Sequence, residues 1–174
     1  MLIGLISDTH IDFHDGTLPT QIKGAFRGVD MILHAGDIWI PSVLDELETI
    51  APVIATWGDD DMEVDLGNDT RMMRGNALHL EGISIWLSHL KPNYRLIDPD
   101  VGVYPSTHSD ENINVHPDVV VFGHTHSAII EHYKDIILVN PGSVTFPNYT
   151  QRLGTVGLLS IHSGKIEVRL IHLE

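Results

Sequence analysis

Leu2-Ile3-Gly4-Leu5-Ile6-Ser7-Asp8-Thr9-His10 is a short apolar run that stops abruptly on hydroxyl, carboxyl and imidazole side chains. An apolar run of this length without polar alternation reads as a strand buried on both faces. The pattern returns along the chain. The run at 29–33 leads into His34-Ala35-Gly36-Asp37, and the run at 53–57 into Gly58-Asp59-Asp60-Asp61. The run at 83–88 ends on Ser88-His89, and the run at 119–122 leads into Gly123-His124-Thr125-His126. Between the first two strands, Ile22, Ala25 and Phe26 stand at helical spacing within 19–27. Between the next two, Val43, Leu44, Leu47 and Ile50 do so within 41–50, with Pro41 fit for a first helical turn. Strand, helix, strand, helix, strand is the sequence of a parallel sheet with right-handed crossovers.

The second half of the chain reads differently. Short runs at 77–81, 83–88, 128–133, 136–139, 155–161 and 165–172 follow one another closely. Glu81-Gly82, Lys134-Asp135 and Ser163-Gly164 mark hairpin turns among them. The expected architecture is α/β: two packed sheets, each partly parallel and partly antiparallel, flanked by helices, as a single domain over 1–174. Residues 91–117 keep no period and are cut by Pro92, Pro99, Pro105 and Pro117. A connection that long in a compact domain is usually functional, so it is expected to form a lid or rim around the site.

Composition narrows the function classes. The 174 residues carry 24 Asp and Glu against 10 Lys and Arg, a net charge of −14. Such a surface repels phosphate backbones and argues against coating nucleic acid. There is no Cys, which excludes disulfides, thiolate zinc sites and cysteine nucleophiles. No stretch approaches the roughly 20 apolar residues of a membrane helix, and a cytoplasmic location is the expectation. The 12 His beside so many carboxylates are the first functional signal.

In open α/β sheets ligands bind in the crevice at the carboxyl ends of the strands. The five polar clusters are expected to meet there. Carboxylates gathered in one cleft repel one another, and divalent cations relieve that repulsion. Mixed Asp and His donors without thiolate suit Mn, Fe, Co, Ni or Zn better than Mg or Ca. Seven candidate donors exceed the three or four that one zinc takes, so two metals with a shared carboxylate fit better. Metals about 3.5–4 Å apart can clamp the oxygens of a displacement at phosphorus.

The blocks, in their order, resemble the calcineurin-like metallophosphoesterases, most closely the small phosphodiesterase branch. Asp8-Thr9-His10 stands for D-x-H, Gly36-Asp37 for G-D, and Gly58-Asp59-Asp60-Asp61 at the place of G-N-x-D. His89 stands for the isolated histidine, Gly123-His124-Thr125-His126 for G-H-T-H, and Asn140-Pro141-Gly142-Ser143 for the N-P-G-S of the small branch. The resemblance implies a four-layer α/β/β/α sandwich and two divalent transition metal ions, with Mn favoured. One ion would be held by Asp8, His10, Asp37 and His126, the other by Asp37, Asp59, His89 and His124, with Asp37 bridging. It further implies hydrolysis of a small phosphate ester, a diester rather than a monoester, by a metal-bound hydroxide. The Gly-led loop must leave the strand conformation if both His124 and His126 are to reach metal.

Three departures qualify the resemblance. Asp59 stands where the family has Asn, adding negative charge beside the substrate phosphate and removing an amide donor. That should weaken phosphate binding by about 1–3 kcal/mol or retune the metal preference. His89-Leu90-Lys91 replaces the frequent H-G-H, and Lys91 is a candidate cationic contact to the substrate. Position 60 lacks the histidine that larger relatives use as general acid. Asp61 is expected to support the site from a turn rather than to ligate, His34 is a candidate to hold a ligand in place, and Asn140 and Ser143 to shape a tight loop. Trp39 and Trp57 read as core, and the remaining histidines as surface or core residues. Two other readings stay open: a phosphoesterase fold kept as a protein-binding scaffold, as in the retromer subunit resembling this branch, and a metal site serving stability alone. A homo-oligomer is compatible with the sequence and not specified by it.

Overall fold

In a computed structural model describing residues 1–11, 16–73, 77–100 and 116–174, the first strand, β1 (Leu2–Ile6), lies at the centre of a five-stranded sheet. It pairs in parallel with β2 (Met31–His34), which pairs in parallel with β3 (Val53–Ala55). The crossovers are made by α1 (Gln21–Ala25) and α2 (Pro41–Glu48). The other edge is the hairpin β9 (Thr155–His162) and β10 (Lys165–His172), antiparallel to β1 through β9. The second sheet has the order β4 (Ala77–Leu80), β5 (Ile83–Leu87), β6 (Val119–Val121), β8 (Ile136–Asn140), β7 (Ile129–Tyr133). Its three middle strands are parallel and its two edges antiparallel.

Side-chain alternation sorts the core into three slabs, because successive residues of a strand face opposite sides of its sheet. Ile3, Leu5, Met31 and Leu33 meet Ile85, Leu87, Val119 and Val121 between the sheets. Ile6 and Ile32 face outward to Ile22, Val43, Leu44 and Leu47 of the helices. Gly4 leaves the space that the Phe26 ring occupies, since a Cβ there would come 3.0 Å from it. Trp86, Val120 and Leu138 face outward from the second sheet onto Ile97 of α4 (Tyr94–Ile97). Helices, sheet, sheet, helix is the four-layer sandwich.

The hairpins turn as their residues dictate. Glu81-Gly82 and Ser163-Gly164 both have positive φ at both positions, the requirement of a two-residue turn matched to strand twist. Elements that the spacing did not indicate are α3 (Glu63–Leu66) and α4, each a single turn. Within 91–117, residues 91–100 cap the outer face of the second sheet: Asn93 accepts from the Arg95 amide, Tyr94 stacks on Tyr133 at 4.6 Å, and Tyr133 donates to Asp98. Residues 101–115, and with them the expected lid, lie outside the described residues, as do His14 and His108. Among the described residues no helix is long and apolar enough to cross a membrane.

Candidate metal centre

All three parallel strands of each sheet deliver their carboxyl ends to the same edge of the sandwich. The Asp8 amide donates to the Gly36 carbonyl at 3.0 Å, joining the ends of β1 and β2. The Gly123 amide donates to the His89 carbonyl at 2.9 Å, joining the ends of β5 and β6. The two sheets are laced together there as well. His89 Nδ1 bonds to the Ala35 carbonyl at 2.8 Å, and Ser143 Oγ donates to the Asp8 carbonyl at 2.7 Å.

The loops leave the strands through left-handed backbone. Asp8, His10, Asp37, His124 and His126 have φ of 51°, 43°, 57°, 67° and 54°. Such conformations cost non-glycine residues roughly 1–3 kcal/mol each and persist where the surroundings over-determine them. Residues two apart in a strand share a face, yet this backbone sends His124 and His126 to different groups of side chains. Two glycines make the crowding possible. A Cβ on Gly58 would come 2.0 Å from Asp37 Oδ1, and one on Gly123 would come 2.0 Å from Ser7 Oγ and 2.8 Å from Asp8 Oδ2.

Seven side chains gather into two sets. Asp8, His10, Asp37 and His126 each offer a donor atom within 4.8 Å of the others, and Asp59, His89 and His124 do the same. Asp37 Oδ2 lies between the sets, 3.4 Å from His10 Nε2 and 3.3 Å from His89 Nε2. Within the first set the Nε2 atoms of His10 and His126 face each other at 3.0 Å, and His126 Nε2 is 3.5 Å from Asp8 Oδ1. Within the second, Asp59 Oδ1 is 2.7 Å from His89 Nε2 and 3.0 Å from His124 Nδ1.

Tautomers follow from the backbone. A carbonyl only accepts, so His89 Nδ1 must donate to Ala35, and His126 Nδ1 to the Phe146 carbonyl at 3.0 Å. Each neutral ring is left with its Nε2 lone pair aimed inward, the usual way a second partner orients a metal-binding histidine. His89 Nε2 is buried and makes no hydrogen bond of good geometry. The field agrees. Burial pushes the Asp8 carboxyl above its ordinary range and His10 below its own. Burial also opposes a charge at Asp37 and at His89, but their close contact, Nε2 against Oδ2 at 3.3 Å, and the attraction of opposite charges outweigh it. The Asp37 carboxyl is therefore held low, and His89 is pushed up to about 9, aided by the Ala35 carbonyl. The carboxylates demand positive charge at this spot, and a divalent cation meets that demand more fully than a proton does. These oxygen and imidazole donors fit divalent transition metal ions.

A second ring of contacts fixes the donors. The Asp61 carboxylate accepts from the amides of Asp37, Ile38, Trp39 and Gly58 at 2.7–3.0 Å, holding the β2 loop against the β3 loop. Asn140 Nδ2 donates to the Gly123 carbonyl and to Thr125 Oγ1, and Thr145 Oγ1 donates to the Thr9 carbonyl. His34, fully buried, accepts from the Gly36 amide and contacts Thr9 Oγ1.

The two sets open into a cleft of about 540 Å³ whose walls include Trp39, Thr145, Phe146, Tyr149 and Gln151. None of these five had a functional reading in the sequence. Trp39, expected in the core, packs only partly on the helix-side core, and its ring edge meets His10 at 4.9 Å. Its place two residues after Asp37 was the available signal. Trp57 is likewise only partly buried. Lys91 does not reach the clustered donors: its ammonium pairs with Glu131 and bonds to Tyr94 Oη at 3.1 Å, beside a separate groove that shares Asp59 and His89.

Comparison with known proteins gives the same picture. Residues 1–164 match the family model described as the calcineurin-like phosphoesterase superfamily domain. A probable metallophosphoesterase of Methanothermobacter thermautotrophicus is 35% identical over 98% of this chain and 92% of its own. A phosphodiesterase of Methanocaldococcus jannaschii is 26% identical over 100% of both. Among solved structures, an archaeal phosphodiesterase (TM-score 0.65, 23% identity, 98% of this chain and 100% of that one) shares the fold. So does Vps29 of Entamoeba histolytica (TM-score 0.65, 17% identity, 100% of both).

Proposed function

Because the chain belongs to the calcineurin-like phosphoesterase superfamily, we propose that it is a dinuclear, metal-dependent phosphodiesterase acting on small phosphate diesters. The observation that carries this reading is the position of Asp37 Oδ2, equidistant within 0.1 Å from a histidine of each set, at 3.4 and 3.3 Å. Asp8, His10, Asp37 and His126 would hold one ion, and Asp37, Asp59, His89 and His124 the other, with Mn the favoured metal. Two such ions supply Lewis acidity to the phosphoryl oxygens and a hydroxide from water at neutral pH. The protein's own part is positional. Asp61 and the left-handed loops fix the donors before substrate arrives, so no reorganisation is needed as charge develops. Asp59 and His124, exposed to 54% and 45%, leave the second position open on the side from which a phosphate enters.

Among the described residues no Lys or Arg lines the cleft, which supports a small ester over a polymer. The full-length relative named as a phosphodiesterase supports a diester over a monoester. The scaffold alternative expects no turnover at all. The test is hydrolysis of bis-p-nitrophenyl phosphate by purified protein with Mn or Ni, beside a His124→Ala variant. Turnover that the variant largely loses supports the proposal. No turnover with any divalent metal refutes it, and equal turnover by both proteins refutes the residue assignment.

A further inference from the structure

Tyr149 is exposed to 62%, yet its side chain contacts three residues around the donor sets, His126, Phe146 and His124. Its ring stacks on the His126 imidazole with centroids 4.5 Å apart and planes 21° from parallel, and Phe146 meets it edge-on. It stands on a single turn, Pro147–Tyr149, in which Asn148 and Tyr149 both adopt left-handed φ, 50° and 57°. Asn tolerates that region, but a Tyr there is strained, and strain of this kind persists only where other contacts impose it. Those contacts run to the histidine loop. The Asn148 amide donates to the His126 carbonyl at 3.0 Å, Ser127 Oγ donates to Asn148 Oδ1 at 2.7 Å, and Tyr149 Oη reaches the His124 carbonyl at 3.4 Å. Core burial does not explain a mostly exposed ring held at such cost beside the donor sets.

Resting on the phosphodiesterase reading, we infer that Tyr149 is the stacking platform for a nucleobase, and that the substrate class is phosphodiesters carrying one nucleoside. One face of the Tyr149 ring is taken by His126, and its exposed surface lines the cleft. Every base offers a π face to such a ring. Gln151 also lines the cleft with an amide donor and acceptor for a base edge, and Thr145 Oγ1, whose hydrogen goes to the Thr9 carbonyl, adds an acceptor. A polynucleotide is disfavoured, because its backbone needs a basic track and the described residues put no Lys or Arg on this cleft, in a chain of net charge −14. A single phosphate between two donor sets, with one base on Tyr149, matches what the cleft contains.

The test uses the Mn-loaded full chain on two diesters with the same leaving group: thymidine 5′-(p-nitrophenyl phosphate) and methyl p-nitrophenyl phosphate. In each, a water oxygen bonds to phosphorus and the P–O bond to the aryl group breaks. The nitrophenolate and a proton are released, leaving thymidine or methyl phosphate. The wild type should prefer the nucleoside ester by about tenfold or more in kcat/KM, carried by KM, from the typical strength of base stacking. Tyr149→Ala and Tyr149→Leu should bring that ratio close to one, and Tyr149→Phe should keep it. No preference in the wild type, or a preference that survives loss of the ring, overturns the inference while leaving phosphodiester hydrolysis intact. A calorimetric titration needs no turnover. The affinity for thymidine 5′-monophosphate relative to inorganic phosphate should fall about tenfold in Tyr149→Leu and hold in Tyr149→Phe. If no metal supports hydrolysis, the functional proposal fails, and this titration still decides the stacking: equal affinity ratios in all three proteins end it.

Discussion

The two donor sets are built from the same residue types and differ in what surrounds them. Asp8, Asp37 and His126 are buried, and His10 nearly so. In the other set only His89 is buried, while Asp59 and His124 stand in solvent and lean on each other. The buried set is fixed by backbone: the His124 amide donates to Asp8, and Phe146 and Asp60 anchor His126 and Asp37. The open set is fixed mainly through His89. A preorganised, dry site holds a cation more tightly than one whose donors must be ordered on binding. On the proposed dinuclear reading, the buried position would therefore be the resident one and the open position the exchangeable one, where substrate would arrive.

Asp37 Oδ2 lies within 3.4 Å of a histidine of each set, so its loss tests whether they are one centre. Asp37→Ala is expected to lower kcat/KM on bis-p-nitrophenyl phosphate by roughly 10³-fold or more, the scale of losing Lewis-acid stabilisation. Plasma mass spectrometry should show both metals depleted. Loss of one metal with the other unchanged would mean two independent sites. Next in size, His126→Ala should cost roughly 10²-fold and His124→Ala roughly tenfold at saturating Mn, on the scale of perturbed metal sites. Added Mn should rescue the second variant more than the first. An equal cost with equal rescue would erase the distinction between buried and open sets.

Much of this centre was legible because the chemistry-bearing residues directly follow apolar runs, and strand polarity alone sends them to one edge. Asp8, Asp37, His89 and His124 come from four different strands and need no long-range contact to be anticipated together. The hairpins were legible for a local reason too, since Ser163-Gly164 and Glu81-Gly82 suit left-handed turns. What escaped depended on partners far away in the chain or on backbone that no residue type announces. Lys91 finds Glu131 across the sheet, which no window around residue 91 contains. Trp39 has φ of 75° and lines the cleft because Asp61 clamps its amide. Tyr149 follows a strained Asn148 in a turn whose purpose is evident only beside His126. The helices α3 and α4 are single turns, too short for a 3.6-residue period to register.

The buried side should also show itself in acid. His34 Nδ1 accepts from the Gly36 amide, so Nε2 carries the hydrogen and donates to Thr9 Oγ1 at 3.2 Å. Thr9 Oγ1 in turn donates to the Asp37 carbonyl. Burial first, and the neighbouring charge of His89 second, push His34 down to about 3. It stays neutral in the fold while the unfolded chain takes up a proton near the ordinary value of 6.5. The contribution is thus complete above about pH 6.5 and is lost as pH falls toward 3, at up to about 1.4 kcal/mol per unit. In urea unfolding with chelator present, His34→Gln should lower stability at pH 7. Its drop between pH 6 and 5 should be smaller than the wild type's by about 1 kcal/mol. An unchanged drop would show that His34 does not carry that acid sensitivity.

The smallest effect concerns the open side alone. Burial works against ionisation of Asp59, but its own backbone amide and His124 outweigh it and hold the carboxyl below the usual range. At neutral pH it therefore brings a full negative charge to the mouth of the second position, where the family resemblance implies a neutral amide. In a solvated position two like charges a few ångströms apart repel by about 1 kcal/mol. Asp59→Asn removes that repulsion and adds an N–H donor, so phosphodiester turnover at saturating Mn should rise about three- to fivefold, mainly through KM. The charge also helps hold the second ion, so the variant should need more Mn to reach half-activity. Because the group is exposed, the gain should shrink as ionic strength rises and the Debye length contracts from about 10 Å at 0.1 M to about 3 Å at 1 M. A fall in turnover at saturating metal would show that the carboxylate is adapted to its place, and that the open set is tuned for its cation rather than for phosphate.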